Sequence, residues 1–297
     1  MPEWKWELVA KQKELTEGPA WDGEGLLYSE CAANLTWRYD PKSKKNTVWR
    51  RDTNGANGMY FDRMGRLFVC EGEGRRIARY EEGKPYQMVV DSFQGKTFNE
   101  PNDLAIDSDG RIYFSDPNYG ARPMLLDHES VWRIDPVYGG SWVVSRVTFD
   151  TERPNGVLFS PDQKTLYVGE SPRAPQGRRQ LRAYPVSPDG SLGDYQVMHD
   201  FGPYRGVDGM CMTTEGVVIA TAGYREAGPG PMLYEFAPSG RVISTHRVPA
   251  EADRPTNCSF GESGLDVMYV TFGSGHVYRV ADTGYKGYLL FPRRQGI

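Results

Sequence analysis

No apolar run in this 297-residue chain approaches the ~18 residues that a membrane-spanning helix needs. No block of like charge appears, and the formal net charge is only −4, which argues against a nucleic-acid partner. Met1 to Lys13 alternates Trp, Lys, Glu and Leu and lacks the apolar segment of a signal peptide, so a cytoplasmic location is expected. Cysteine is scarce. Cys31, Cys70, Cys211 and Cys258 form no CxxC pair, and the last three sit in apolar, strand-like runs, where reduced thiols pack as small hydrophobes. The four histidines, His128, His199, His246 and His276, lie at least 30 residues apart, so no HExxH or HxH arises. GxSxG and Walker motifs are missing, and Gly72-Glu73-Gly74 runs on into Arg75-Arg76-Ile77 without completing a GxGxxG. These gaps leave little support for a zinc site, a serine-hydrolase elbow or a nucleotide loop. The sequon matches at Asn34 and Asn257 read as chance, because no signal peptide is expected.

Turn formers and aromatics are plentiful. The chain has 34 glycines, 21 prolines, 18 tyrosines, 12 phenylalanines and 7 tryptophans, a mixture that suits short strands better than long helices. A pattern recurs at intervals of 40 to 53 residues: a polar residue, a short apolar alternation, a turn with Asp or Gly, then a second strand. It opens at Glu17, Asn57, Asn102, Asn155, Asp208 and Asn257. Tight turns such as Asp109-Gly110 close each hairpin. The Asp-Ser-Asp-Gly at Asp107 falls on one of these turns and lacks the later ligands of a calcium loop. Third strands are expected at Arg76–Tyr80, Ser130–Ile134, Gln180–Pro185, Met232–Phe236 and His276–Val280. Repeats of this length holding four strands indicate an all-β fold, a six-bladed β-propeller with four-stranded blades, read as one domain over residues 1–297. The alternating segment with Trp4, Trp6 and Leu8 is expected to supply an outer strand to the C-terminal blade.

All six residues that open the repeats carry a side-chain oxygen. In a propeller the equivalent positions converge, so two carboxylates and four amides would face one another. Such a set offers only hard oxygen ligands, which suits calcium and not the softer metals that favour His or Cys. Two converging carboxylates also repel each other without a cation between them. Glu30, Glu71, Asp116 and Glu170, at the ends of second strands, are expected on the same face. Glu100, Arg153, Arg205, Arg254 and Tyr119 are expected there too, as rim charges or substrate contacts.

Several segments resemble the senescence-marker-protein/gluconolactonase/regucalcin-like family. They are Glu17-Gly-Pro, Pro101-Asn102-Asp103-Leu104, Tyr113-Phe-Ser-Asp116-Pro117, Pro154-Asn155-Gly156-Val157, Asp208-Gly209-Met210 and Pro255-Thr256-Asn257. The resemblance runs in order along nearly the whole chain. It implies a six-bladed propeller with one divalent cation, calcium first, with magnesium, manganese or zinc as substitutes. It implies metal ligation by Glu17, Asn155 and Asp208, with Asp208 also the catalytic base, and Asn102 beside the metal. Two departures bear on the substrate: Gly72 stands where many relatives place a histidine, and Glu100 where some place an arginine.

The expectation is a metal-dependent lactonase acting on a sugar-type lactone. Asn102, Asn57, Glu100, Tyr119 and Asn257 would contact the substrate, and Glu100 or Asp116 would share the work of the base. Rival readings are a phosphotriesterase, a lyase or isomerase on a related sugar acid, and a binding propeller stabilised by its metal. The expected partner is a small molecule, with no nucleic acid or membrane, and the chain is expected as a monomer or small homo-oligomer.

Overall fold

The computed structural model describes residues 3–81, 83–120, 122–137, 139–174 and 176–292. Among them no helix is long and apolar enough to cross a membrane. The fold is the expected six-bladed β-propeller with four-stranded blades. The chain divides into two compact units, Met1–Ala56 with Val207–Ile297, and Asn57–Gly206.

In the first unit, blade 1 runs through Thr16–Trp21, Leu26–Glu30, Leu35–Asp40 and Lys45–Arg51. Blade 5 runs through Val207–Thr213, Val218–Tyr224, Ala227–Phe236 and Val242–Arg247, and adds a short fifth strand, Gly287–Tyr288. Blade 6 has Pro255–Gly261, Val267–Phe272 and His276–Ala281, and its fourth strand is Lys5–Lys11, paired antiparallel with His276–Ala281. The expected N-terminal outer strand is therefore present. In the second unit, blade 2 is Ala56–Phe61, Leu67–Glu71, Arg76–Tyr80 and Gln87–Val90. Blade 3 is Leu104–Ile106, Ile112–Asp116, Ser130–Pro136 and Trp142–Arg146. Blade 4 is Pro154–Phe159, Thr165–Glu170, Arg179–Pro185 and Gln196–Gly202. All five third strands fall where the repeat places them.

Local chemistry explains the hairpins. Asp62 and Asp107 each accept two turn N–H groups on Oδ1 and hold the arginine four residues on, Arg66 and Arg111, through Oδ2. Asp22 closes blade 1 the same way, with Arg38 as its cation. The Asp107 segment is thus a turn, as read from its position. Burial is graded across each blade. The first strands of blades 1, 5 and 6 are buried along their whole length, whereas the fourth strand of blade 1 alternates exposed and half-buried residues.

Aromatic and aliphatic side chains fill the space between neighbouring blades. Trp21, Tyr28 and Tyr39 pack with Tyr269 and Val277 between blades 1 and 6, and Tyr113 and Val131 pack with Phe159 and Leu166 between blades 3 and 4. Burying a side chain of this size contributes about 1.5–3 kcal/mol. Cys70, Cys211 and Cys258 are buried free thiols, as expected.

Candidate active site

Five of the six repeat-opening residues lie at the start of the first strands and Asn102 lies two residues ahead of its own, and in four blades the backbone is irregular at the start. The pairing register shifts between Glu17 and Ala20, Pro154 and Val157, Val207 and Met210, and Pro255 and Asn257. A bulge adds a residue to one strand and re-aims its side chain, and glycine eases it. Glu17, Asn57, Asn155 and Asp208 are each followed by glycine.

In the first unit the three opening residues lie on successive blades, 5, 6 and 1. Thr256 Oγ1 donates to the carbonyl of Thr16 at 2.7 Å, which sets Glu17 beside Asn257. Thr221 Oγ1 donates to the carbonyl of Thr256 at 2.8 Å and accepts from Gly209 N–H at 3.1 Å, which sets Asp208 on the other side. A Cβ on Gly209 would overlap the Asn257 amide, so the glycine makes room for that side chain. Glu17 and Asp208 are only 4% and 8% exposed. Glu17 Oε2 accepts from Gly18 N–H at 2.8 Å. Asn257 Oδ1 accepts from Cys258 N–H at 2.8 Å.

In the second unit, Gly58 N–H donates to the carbonyl of Asn102 at 2.8 Å and joins the first strands of blades 2 and 3 at their starts, so Asn57 lies beside Asn102. Here too a Cβ on Gly58 would collide with the next blade, at Asp103. Asn102 is buried and donates through Nδ2 to Tyr119 Oη at 2.5 Å. Tyr119 is 45% exposed, so the pair joins a buried amide to an accessible phenol. Asn155 is half-buried at the bulge of blade 4.

The second-strand carboxylates differ from their expected role. Glu30, Glu71, Asp116 and Glu170 are buried, not rim charges. Asp116 is fully buried, with Oδ2 accepting from Asn99 N–H at 2.9 Å, so it is removed from the candidate bases. Burial, with Glu129 nearby, pushes its carboxyl up to about 8 against the opposing pull of Asn99 N–H and Arg75. Glu170 is pushed up to about 7, again by burial. Glu71 binds Arg76 at 2.6 Å and the Tyr80 hydroxyl.

Arg122 was not legible in advance. Its guanidinium donates to the carbonyls of Glu73 and Gly72 at 2.7 and 2.8 Å, and its Nε lies 4.0 Å from Glu100 Oε1. A cation thus stands against both Gly72 and Glu100. It arrives from the loop between the second and third strands of blade 3, and no sequence spacing signals that approach. Glu129 was missed for the same reason. It accepts from Asn118 N–H at 2.6 Å, next to Tyr119, and faces Arg173 at 3.5 Å.

Among the described residues no three His, Cys, Asp or Glu side chains gather in a metal-binding group. A cation would therefore have to take amide oxygen as well as carboxylate. Within the first unit the donors fit that demand, because Glu17 and Asp208 are buried carboxylates on the two blades that flank blade 6, which carries the amide of Asn257.

The model of the SMP-30/Gluconolactonase/LRE-like region matches residues 15–274, and the chain belongs to that family. A gluconolactonase of Zymomonas mobilis is 27% identical over 296 residues, covering 92% of this chain and 80% of its own. The solved structure of a gluconolactonase from Xanthomonas campestris is 27% identical with a TM-score of 0.80, over 94% of this chain and 89% of that one. Regucalcin from Agrobacterium tumefaciens, a calcium-binding protein, shares the fold with a TM-score of 0.77 at 16% identity, over 99% and 98% of the two chains.

Proposed function

We propose that the protein is a lactone hydrolase, that its substrate is a sugar-type lactone, and that it works with one divalent cation, calcium first. The observation that carries this reading is the pair of buried carboxylates, Glu17 and Asp208, at bulged strand starts in a family that includes gluconolactonases. The residues that would hold the cation are Glu17, Asn155 and Asp208. When bound, the cation supplies Lewis-acid polarisation of the lactone carbonyl and stabilises the oxyanion.

The chain's own residues do the rest. Asp208 accepts the proton of the attacking water and returns it to the leaving ring oxygen. Asn102 and Tyr119, already joined by a hydrogen bond, orient the substrate hydroxyls as one unit. Asn257 contacts the substrate, and Asn57 lies next to Asn102 for the same task. Glu100, with Arg122 beside it, accepts from a sugar hydroxyl.

The test is proton release from a panel of sugar lactones, simple lactones, aryl esters and phosphotriesters, with and without chelator. Chelator-sensitive opening of sugar lactones supports the proposal. Turnover confined to phosphotriesters reassigns the reaction. No turnover, with a melting temperature that falls on chelation, leaves a binding propeller with a structural metal.

A further inference from the structure

We propose that Glu30, Asp116 and Glu170 are positioning residues for Glu17, Asn102 and Asn155, through a device repeated in blades 1, 3 and 4. Each carboxyl ends the second strand of its blade and accepts backbone N–H from the loop that leads into the first strand. Glu30 Oε1 accepts from Lys13 and Glu14, both at 3.1 Å. Asp116 Oδ2 accepts from Asn99 at 2.9 Å. Glu170 Oε1 accepts from Glu152 at 3.1 Å and Arg153 at 2.8 Å. The gripped amides lie two to four residues ahead of Glu17, Asn102 and Asn155, so each grip fixes the backbone that aims the functional side chain.

Adjoining main-chain bonds extend the grip by one residue. Cys31 N–H donates to Leu15, Glu100 N–H to Pro117, and Ser171 N–H to Arg153. A carboxyl suits the task because one oxygen has lone pairs for two N–H groups. The corresponding pairing positions in blades 5 and 6 hold Ala222 and Phe272, opposite Val207 and Pro255. There the backbone leading to Asp208 and Asn257 is held by threonine hydroxyls between blades instead. Blades 5 and 6 are therefore built without the device, which is no general requirement for building one.

The inference rests on the proposed function for its kinetic consequence, but its structural part can be tested alone. Glu170→Ala, Glu170→Asp and Glu170→Gln would be compared in the full-length protein, together with Asp116→Ala, Asp116→Asn, Glu30→Ala and Glu30→Gln. Glu235→Ala is the burial-matched control, because Glu235 is fully buried but binds His246 and Tyr285 far along its blade. The first readout is amide hydrogen exchange at Lys13, Glu14, Asn99, Glu152 and Arg153 in metal-free protein. The second is calcium affinity by calorimetry, and the third is kcat and KM on a lactone that the panel identifies.

The alanine variants and the conservative Glu170→Asp should each speed exchange only in their own loop. They should weaken calcium affinity or lower kcat by about tenfold or more, the usual cost of removing a group that orients a ligand. The amide variants keep the accepting oxygen and should stay close to wild type. Glu235→Ala should lower the melting temperature and change neither loop exchange nor affinity. Unchanged loop exchange in Glu170→Asp and the alanine variants would overturn the proposal. So would loosened loops with unaltered calcium affinity and kinetics. If the wild-type protein binds no calcium and opens no lactone, the functional reading fails by itself, and the exchange arm still decides whether the carboxyls hold the loops.

Discussion

The two units hold the starts of their first strands with different balances of buried hydroxyls and carboxyls. In Met1–Ala56 with Val207–Ile297, the openings are Glu17, Asp208 and Asn257, and a chain of buried hydroxyls ties them across blades. Thr256 bonds Thr16 and Thr271, Thr221 bonds Gly209 and Thr256, and Thr16 Oγ1 reaches back to the carbonyls of Phe272 and His276. In Asn57–Gly206, all three openings are amides, and the buried carboxyls stand one loop away, as Asp116 and Glu170. Burial in that unit pushes both carboxyls toward their neutral forms near pH 7. Blade 1 of the first unit combines both devices, because Glu30 holds the loop ahead of Glu17 while Thr256 holds Thr16.

The largest expected effect sharpens that contrast. Asp208→Asn should lower kcat by about 10² to 10⁴ at saturating metal, the usual worth of a general base, while circular dichroism and gel filtration show an intact fold. Asparagine keeps the volume and one oxygen but accepts no proton. A near-normal kcat would make Asp208 a ligand only and move the base to Glu100.

Packing at the two glycines should be costly in both units alike. Gly209→Ala and Gly58→Ala each place a methyl inside a neighbour's side chain, at Asn257 and Asp103 respectively. Overpacking of this kind costs about 1–3 kcal/mol, read as a lower urea midpoint. A loss in one unit only would show that Gly209 and Gly58 are packed differently.

A pH series separates the units through Asp116. Its carboxyl stays protonated in the fold up to about 8, whereas in the unfolded chain it ionises near the ordinary value of 3.8. Between those values the folded state binds more protons, so stability contributed by this group falls as pH rises from about 4 to about 8. Asp116→Asn should flatten that part of the profile and be relatively most favourable at the alkaline end, as measured by urea unfolding from pH 5 to 8. An unchanged slope would mean that Asp116 ionises freely. The smallest effect is expected for Thr256→Val, which removes hydroxyl bonds between blades and should cost about 1 kcal/mol in the same assay.

The architecture is legible in the sequence because every blade restates the same hairpin, with Asp or Gly at the turn and a polar residue at the opening. Even the outer strand at Lys5–Lys11 shows as an alternation with nowhere else to pair. The openings are legible because six repeats in register expose one shared chemistry. The roles of Glu30, Asp116 and Glu170 are not legible. A carboxylate at a strand end looks the same whether it meets solvent or a backbone amide, and the partner loop lies 16 to 18 residues away in sequence. Arg122 and Glu129 are hidden by the irregular loop of blade 3, whose path follows no period. The fifth strand of blade 5, Gly287–Tyr288, is too short to show any pattern.

A calcium titration of metal-stripped protein, reading lactone turnover and melting temperature on the same sample, tests the central claim most directly. Calcium that binds the folded state alone should raise stability by about 2.7 kcal/mol at one hundred times its dissociation constant. Turnover should appear with the same midpoint as calcium binding, and Asp208→Asn should weaken binding and stay inactive when saturated. Full lactone turnover in a verified metal-free sample, with a melting temperature indifferent to added calcium, would contradict the account.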